Sequence, residues 1–284
     1  MDWTLPAETA RAEEAAATDG GSLTTRLHGD PAALAEQLPE LGPVTLKAQN
    51  RYASHAITEA LSHAEWTGNA LWLGGRESAL WFYPAQWDFA AAVTEGGPAG
   101  RQERLEFVDR TGEAGVRAEL TPASAAGVFA RLVRSHRAPN VRRPVITGRA
   151  TAPLFPGIAR YAVDPSLIRE LLETLADAAI AVRIELGNRG ALQSYTGLID
   201  NPLPTPEGLL VRGAGFRLDL SLAAVASAWV AEMHVADGRA HVVDLFDADG
   251  GRVLRLAGKR VPGCPEERAW RTLVEALSPC RLAS

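Results

Sequence analysis

Cysteine is nearly absent, with Cys264 and Cys280 the two in 284 residues. That is too few for a disulfide framework and fits a reducing compartment. Two thiols cannot complete a zinc site on their own. Basic charge is not in excess either. The 29 Lys and Arg stand against 34 Asp and Glu, a net charge of −5 that argues against bulk nucleic-acid binding. No apolar run reaches the length that crosses a bilayer, and Met1-Asp2-Trp3 lacks the basic opening of a secretory signal. Several motifs are missing as well: there is no G-x-x-x-x-G-K-[ST], no G-x-S-x-G and no H-E-x-x-H. Gly213-Ala214-Gly215 lacks the third glycine of a dinucleotide fingerprint and falls between predicted strands. The expectation is a cytoplasmic protein with no nucleic-acid partner and no membrane insertion. Its 46% hydrophobic and 22% charged residues are ordinary globular composition, and its length suits two domains.

An internal repeat is the strongest signal present. Asn50-Arg51 recurs 138 positions later as Asn188-Arg189, and Leu71-Trp72-Leu73 recurs at the same offset as Leu209-Leu210-Val211. Leu105-Glu106-Phe107-Val108-Asp109 recurs, again at 138, as Val243-Asp244-Leu245-Phe246-Asp247. Each copy opens on Asp-Pro, at Asp30-Pro31 and at Asp164-Pro165, the pairing of a helix N-cap with proline at the first helical position. A period this long means two domain-sized copies and not a solenoid. The organisation read from it is an N-terminal arm over 1–29, a first repeat over 30–137, a Pro-rich linker over 138–160 and a second repeat over 161–284. A short alanine-rich helix is expected within the arm, over Glu8–Ala17.

Within each copy a helix leads into several short strands and a closing helix. Residues 181–186 and 216–220 alternate apolar and polar side chains, as half-buried strands do. Asp237-Gly238 and Asp249-Gly250 are hairpin signals, and the first would set His234 opposite His241. The stretch Glu266–Leu277 carries Trp270, Leu273, Val274 and Leu277 at helical spacing. Consecutive hairpins require antiparallel pairing, so the fold class is α+β: two homologous halves, each a large antiparallel β-sheet with flanking helices.

Side chains able to carry chemistry are sparse. His234 and His241, even if opposed, lack a third ligand, and a cross-strand surface pair explains them. His136 ends an amphipathic helix, where the dipole favours it; the alternative is an axial haem ligand. Arg252, Arg255 and Arg260 cluster near the last hairpin and suit a clamp for carboxylate or phosphate. Trp72, Trp81, Trp229 and Trp270 occupy apolar-periodic positions expected in the core. Asn188 and Gln193 are explained by turn and ladder hydrogen bonds.

The second copy runs Gly187-Asn188-Arg189-Gly190-Ala191-Leu192-Gln193-Ser194-Tyr195-Thr196-Gly197, then Ser227-Ala228-Trp229-Val230 and Leu245-Phe246-Asp247-Ala248-Asp249-Gly250. It closes on Gly258-Lys259-Arg260-Val261-Pro262-Gly263 and Pro265-Glu266-Glu267-Arg268-Ala269-Trp270. This succession resembles the haemin-degrading and haem-utilisation proteins of the HemS/ChuX type. The first copy is similar through Leu38-Pro39-Glu40-Leu41-Gly42-Pro43-Val44, Asn50, His55 and Trp87. The resemblance implies cytoplasmic handling of haem for its iron, with haem held between the halves. It also implies a histidine at the start of the second half on the iron and an arginine from a first-half strand facing it.

The chain departs from that pattern at the ligand positions. No histidine occurs between Arg137 and Arg160, and Trp81 stands where the family has its arginine. Leu254, Arg255, Leu256 and Ala257 replace the family's tyrosines, while Arg260 keeps a basic role suited to a haem propionate. The expected haem-binding residues are therefore Arg260, Arg255, His136 and Trp81, with His136 on the metal. The leading expectation is a protein that binds or transfers haem, with degradation as a further option, served by a haem importer or a redox partner. The alternative is a non-catalytic HemS-like scaffold or binding protein that has lost the haem site. A third option is another planar or anionic ligand held by Arg255 and Arg260.

Overall fold

A computed structural model describes residues 22–97, 100–137, 158–235, 238–261, 263–277 and 279. The expected helix over Glu8–Ala17 and most of the linker lie outside them. Two antiparallel sheets dominate, each of nine strands among the described residues. In spatial order the first contains β1 (Ser22–Leu27), β7 (Trp87–Gly97), β8 (Gly100–Asp109), β9 (Ala114–Leu120), β2 (Pro43–Gln49), β3 (Ala53–Ala60), β15 (Phe216–Leu220), β14 (Gly208–Gly213) and β13 (Leu203–Thr205). The second contains β10 (Ile158–Val163), β16 (Ser227–Val235), β17 (Gly238–Phe246), β18 (Arg252–Gly258), β11 (Val182–Gly187), β12 (Ala191–Gly197), β6 (Ser78–Phe82), β5 (Ala70–Gly74) and β4 (His63–Thr67). Each sheet is thus completed by three strands from the other half of the chain. The 138-residue offset carries over strand by strand, from β9 to β18 and from β6 to β15.

Four helices among the described residues flank the sheets: α1 (Pro31–Ala35), α2 (Ala126–His136), α3 (Leu167–Asp177) and α4 (Arg268–Glu275). Ile168, Leu171, Leu172 and Leu175 follow the spacing of one helical face, and all four are buried beneath α3. They join Val182, Ile184, Val243, Leu254 and Trp270 in one core. A second core gathers α1 and α2 over Leu46, Leu105 and Phe107 of the first sheet. Burying a leucine of this kind is worth about 1.5–3 kcal/mol.

The repeated asparagine explains how the halves lock. Asn50 Oδ1 accepts from the backbone N–H groups of Tyr52 and Ala53, holding the β2–β3 turn. Its Nδ2 donates to the carbonyls of Gly187 (3.3 Å) and Val253 (2.8 Å) in the opposite sheet. Asn188 does the same in reverse, accepting from Gly190 and Ala191 and donating to Gln49 (3.0 Å) and Gly115 (2.6 Å). Two reciprocal side chains therefore satisfy backbone groups at the junction from both directions. Trp87 closes over the same turn and donates from Nε1 to the Gly190 carbonyl at 3.1 Å. A Cβ on Gly190 would lie 2.3 Å from that indole, which is why the position holds glycine.

Three local expectations are corrected. Val235 pairs with Gly238, and Gly238 takes φ +116, so the hairpin register is shifted and His234 faces Arg239, not His241. The residue opposite His241 is Glu232. Asp30 caps α1 by accepting from Ala32 N–H, but Asp164 accepts from Ser166 N–H in a turn that precedes α3. The closing helix begins only at Arg268, because Glu266 turns inward: its carboxylate accepts the His241 backbone N–H at 2.6 Å and meets the ring Nδ1 at 2.8 Å. No described helix is long and apolar enough to cross a membrane.

Candidate functional site

Only Trp270 of the four tryptophans assigned to the core is fully buried there; its indole donates to the His241 carbonyl at 2.9 Å. Trp72, Trp81 and Trp229 lie on the opposite face of the second sheet and are half-buried. Cross-strand partners share a face, so the register defines what surrounds them. Trp72 pairs with Trp81, Ala79 with Ser194, Ser194 with Glu185, Glu185 with Arg255, and Arg255 with Asp244. This outer face, away from α3 and α4, therefore carries indole rings and a line of buried charge.

The charges are nearly balanced. Arg255 donates from Nε and Nη2 to the two oxygens of Asp244 at 2.7 and 2.8 Å, and its Nη1 lies 3.4 Å from Met233 Sδ. Burial alone would lower the Arg255 pKa, and the Asp244 hydrogen bonds and charge more than offset it. Its fork is occupied, so it is held as a structural partner of Asp244. Arg183 sits 2.8 Å from Glu185 and 5.5 Å from the Trp81 ring centre.

Arg252 is the surplus cation. Residues three apart in a regular strand point to opposite faces, but the β17–β18 register shifts between Leu245 and Phe246, which brings Arg252 to the same side as Arg255. Its side chain is 3% exposed, and its Nη1 and Nη2 have no hydrogen-bond partner among the described residues. The nearest carboxylate, Asp244, is 3.9 Å away. Burial and the like charge of Arg255 pull its pKa below the ordinary value, against Asp244 and Glu185. A buried guanidinium without a hydrogen bond, whose one carboxylate within 4 Å is shared with Arg255, is costly unless a further anion answers it. Tyr83 lies just beyond β6 and interacts electrostatically with Glu185 and Arg252. Burial pushes its phenol pKa up, Glu185 adds to the rise, and Arg252 opposes it. No hydrogen bond joins its hydroxyl to a described residue.

The duplication supplies an internal control. At the 138-residue offset Trp81 corresponds to Asp219, Tyr83 to Ser221, Arg183 to Thr45 and Arg252 to Ala114. The conserved remainder, Arg255 with Asp244, corresponds to Arg117 with Glu106, which are 3.2 Å apart on the first sheet. The two copies thus share a charged framework and differ where the second sheet has aromatic surface and spare positive charge.

Of the other expected site residues, Arg260 follows β18 with its Nη atoms buried. His136 ends α2 beside the first sheet, its Nδ1 2.9 Å from the Leu132 carbonyl and its ring against Gly29. The structure does not bring it onto the face of Trp81 and Arg255. Nor are four other histidines there. His28 lies beside His136, His55 is wholly buried with Phe216 at 5.0 Å, and His234 and His241 belong to the helix side. His63 does share the face, exposed on the edge strand β4, with its ring 4.7 Å from Trp72 and its Nδ1 2.6 Å from Ser62 Oγ. No group of three metal-ligating side chains occurs among the described residues. Sequence reasoning singled out the arginine cluster but missed Tyr83, Arg183 and Glu185; the strand alternation through Arg183 and Glu185 was the available signal.

Comparison with known proteins gives a consistent result. The family described as the haemin-degrading HemS.ChuX domain matches the chain twice, over residues 9–136 and 150–277. The hemin transport protein HemS of Yersinia enterocolitica is 27% identical, covering 89% of this chain and 85% of its own. Among solved structures, holo-PhuS, a heme-binding protein from Pseudomonas aeruginosa, superposes with a TM-score of 0.83 at 22% identity, over 90% of this chain and 87% of that one. ChuS, an E. coli heme oxygenase, gives 0.82 at 21% identity over 95% and 92%. At these identities the structures establish the shared fold.

Proposed function

The chain belongs to the haemin-degrading HemS/ChuX family, and from that premise we propose that it binds haem on the outer face of its second sheet and passes it on for use of its iron. The observation that carries this reading is Arg252, a buried guanidinium with both Nη atoms unpaired among the described residues, set on a face of half-buried tryptophans. A planar dianion asks for those two features together, a flat aromatic surface and spare positive charge. Trp81 offers the flat surface, with the Arg183 guanidinium over its ring at 5.5 Å from the ring centre. Arg252 supplies positive potential for the carboxylates; Arg260 lies beyond the opposite end of β18. Arg255 acts one step back by taking both oxygens of Asp244, which leaves Arg252 a longer 3.9 Å contact with that acid. Bound haem brings a redox-active iron, and any oxidation of the ring is chemistry of that group. The protein's part is to bind it, orient it and control access. We place this activity in the cytoplasm.

The test is a titration of the full chain with haemin, followed at the Soret band. One haem per chain, with affinity falling at least tenfold in Arg252→Ala, is the expected result. The rival reading, a HemS-like scaffold without a haem site, is favoured by the lack of a histidine at the centre of the face. A titration indistinguishable from haemin in buffer would select it.

A further inference from the structure

The family pattern places a histidine on the iron, and this chain offers none at the centre of the site. Among the described residues, the tyrosine, methionine and histidine donors on the outer face of the second sheet are Tyr83, Met233 and His63. Met233 Sδ already accepts from Arg255. His63 is exposed on the edge strand β4, two strands away from β6, with Trp72 between. Tyr83 directly continues β6 beyond Trp81 and shares its electrostatic surroundings with the surplus cation Arg252. It is half-buried, and its hydroxyl is engaged by no described residue.

We propose that Tyr83 is the iron ligand of this protein, coordinating ferric haem through its phenolate oxygen with Arg252 as the neighbouring counter-charge. The inference rests on the haem reading above. Coordination forms one bond from the phenol oxygen to ferric iron and breaks the O–H bond; the proton leaves to solvent and no electron is transferred. Tyrosine is an established type of axial ligand for ferric haem. Burial and the charge of Glu185 hold the phenol pKa up and Arg252 only opposes the rise, so the ferric iron itself supplies the drive for the proton to leave. The backbone fixes the position, because Tyr83 N–H donates to the Gly190 carbonyl at 2.8 Å and ties the end of β6 to the β11–β12 turn. In the duplicate copy the equivalent residue is Ser221, beside Asp219 and with Ala114 in place of Arg252, so the donor and its counter-charge are absent together.

The experiment compares haemin binding by the full chain and by Tyr83→Phe, Tyr83→His, His63→Ala and His136→Ala. Resonance Raman and electron paramagnetic resonance of the ferric complexes identify the ligand. The expected result is a high-spin ferric complex with enhanced phenolate modes in the wild type, His63→Ala and His136→Ala. Those modes vanish in Tyr83→Phe, where haemin affinity drops at least tenfold, and Tyr83→His restores coordination with an imidazole signature. Because the Tyr83 hydroxyl makes no internal hydrogen bond to a described residue, the Phe variant keeps the fold, checked by circular dichroism. Unchanged ferric spectra in Tyr83→Phe, or their loss in His63→Ala or His136→Ala, would overturn the assignment while leaving the haem site standing. Failure of both haemin and iron-free protoporphyrin to bind the wild type would remove the haem reading itself and this ligand with it.

Discussion

Replacing His55 with leucine should make the fold much less sensitive to acid. His55 lies at the middle of β3 with no solvent exposure, its ring edge-on to Phe216, which in turn stacks on Tyr195 at 4.0 Å. Neither ring nitrogen has a well-formed hydrogen bond, and the Oε1 of Gln193, the nearest polar neighbour, is also unpaired. Burial pushes the imidazole pKa down from 6.5 to about 3, against a smaller opposing effect of the Gln193 side chain. The folded protein therefore keeps His55 neutral while the unfolded chain takes up a proton below pH 6.5. Stability from this residue is complete above pH 6.5 and is lost as pH falls towards 3. Between pH 7.5 and pH 5 the loss is about 2 kcal/mol, from 1.36 kcal/mol per unit over the part of that window in which only the unfolded chain is protonated. Urea unfolding at the two pH values measures it. The wild type should lose about 2 kcal/mol more than His55→Leu, because every carboxylate contribution is common to both proteins. Equal losses would refute the reasoning and place the proton uptake elsewhere. At pH 7.5 the leucine variant should be at least as stable as the wild type, since it removes two unsatisfied buried nitrogens.

Other perturbations follow from the same contacts. Asn188→Ala removes two donated and two accepted hydrogen bonds at the junction of the sheets and should cost roughly 2–4 kcal/mol in urea unfolding; Asn50→Ala should match it within about 1 kcal/mol. Gly190→Ala forces Trp87 from its seat and should destabilise by about 1–3 kcal/mol, with a change in tryptophan fluorescence. Glu266→Ala strands the His241 N–H and ring Nδ1, which should cost roughly 2–3 kcal/mol and speed hydrogen exchange across α4 ahead of α3. Arg252→Ala, which removes a buried charge met only at 3.9 Å by Asp244, should leave thermal stability equal or raised while weakening haemin binding; a large loss of stability would show that the charge is well answered within the fold.

The fold class was legible because strand alternation and hairpin glycines act locally, and the asparagine turns were legible because an Asx turn needs only its own residues. Which sheet each hairpin joins was not. A constant offset of 138 residues reads the same whether β6 completes its own half or the other, so the exchange of three strands leaves no trace in the repeat. The tryptophans misled for a related reason. Alternation tells which residues share a face but not which face is covered by helices, and Trp72, Trp81 and Trp229 proved to lie on the side away from α3 and α4. Arg255 and Arg252 traded roles through one irregularity: the register shift between β17 and β18 turns Arg252 to the outer face beside Arg255, and Asp244 takes the fork of Arg255. The hairpin at 235–238 was mis-registered by the pull of the Asp-Gly pair, and with it the histidine partnership.

The exchange of strands also bears on why the two copies remain in one chain. The face assigned to haem takes Trp81 and Tyr83 from the first half and Arg183, Arg252 and Arg255 from the second, and these meet only because β6 pairs with β12. The second half alone holds Trp229 and Arg252, but not Trp81 or Tyr83 beside them. The mirror-related face on the first sheet is built by the same pairing of β15 with β3, yet there Arg217 and Asp219 neutralise one another at 2.8 Å, and Lys47 and Glu119 do so at 2.7 Å. Paired surface charges of that kind contribute little beyond solubility. One copy thus has its charges balanced, while the other has a tryptophan, a tyrosine and a weakly answered arginine where the first has an aspartate, a serine and an alanine. A buried arginine so placed costs stability in an empty protein, and an anionic aromatic ligand would answer it, which is the physical ground for proposing function on the second sheet.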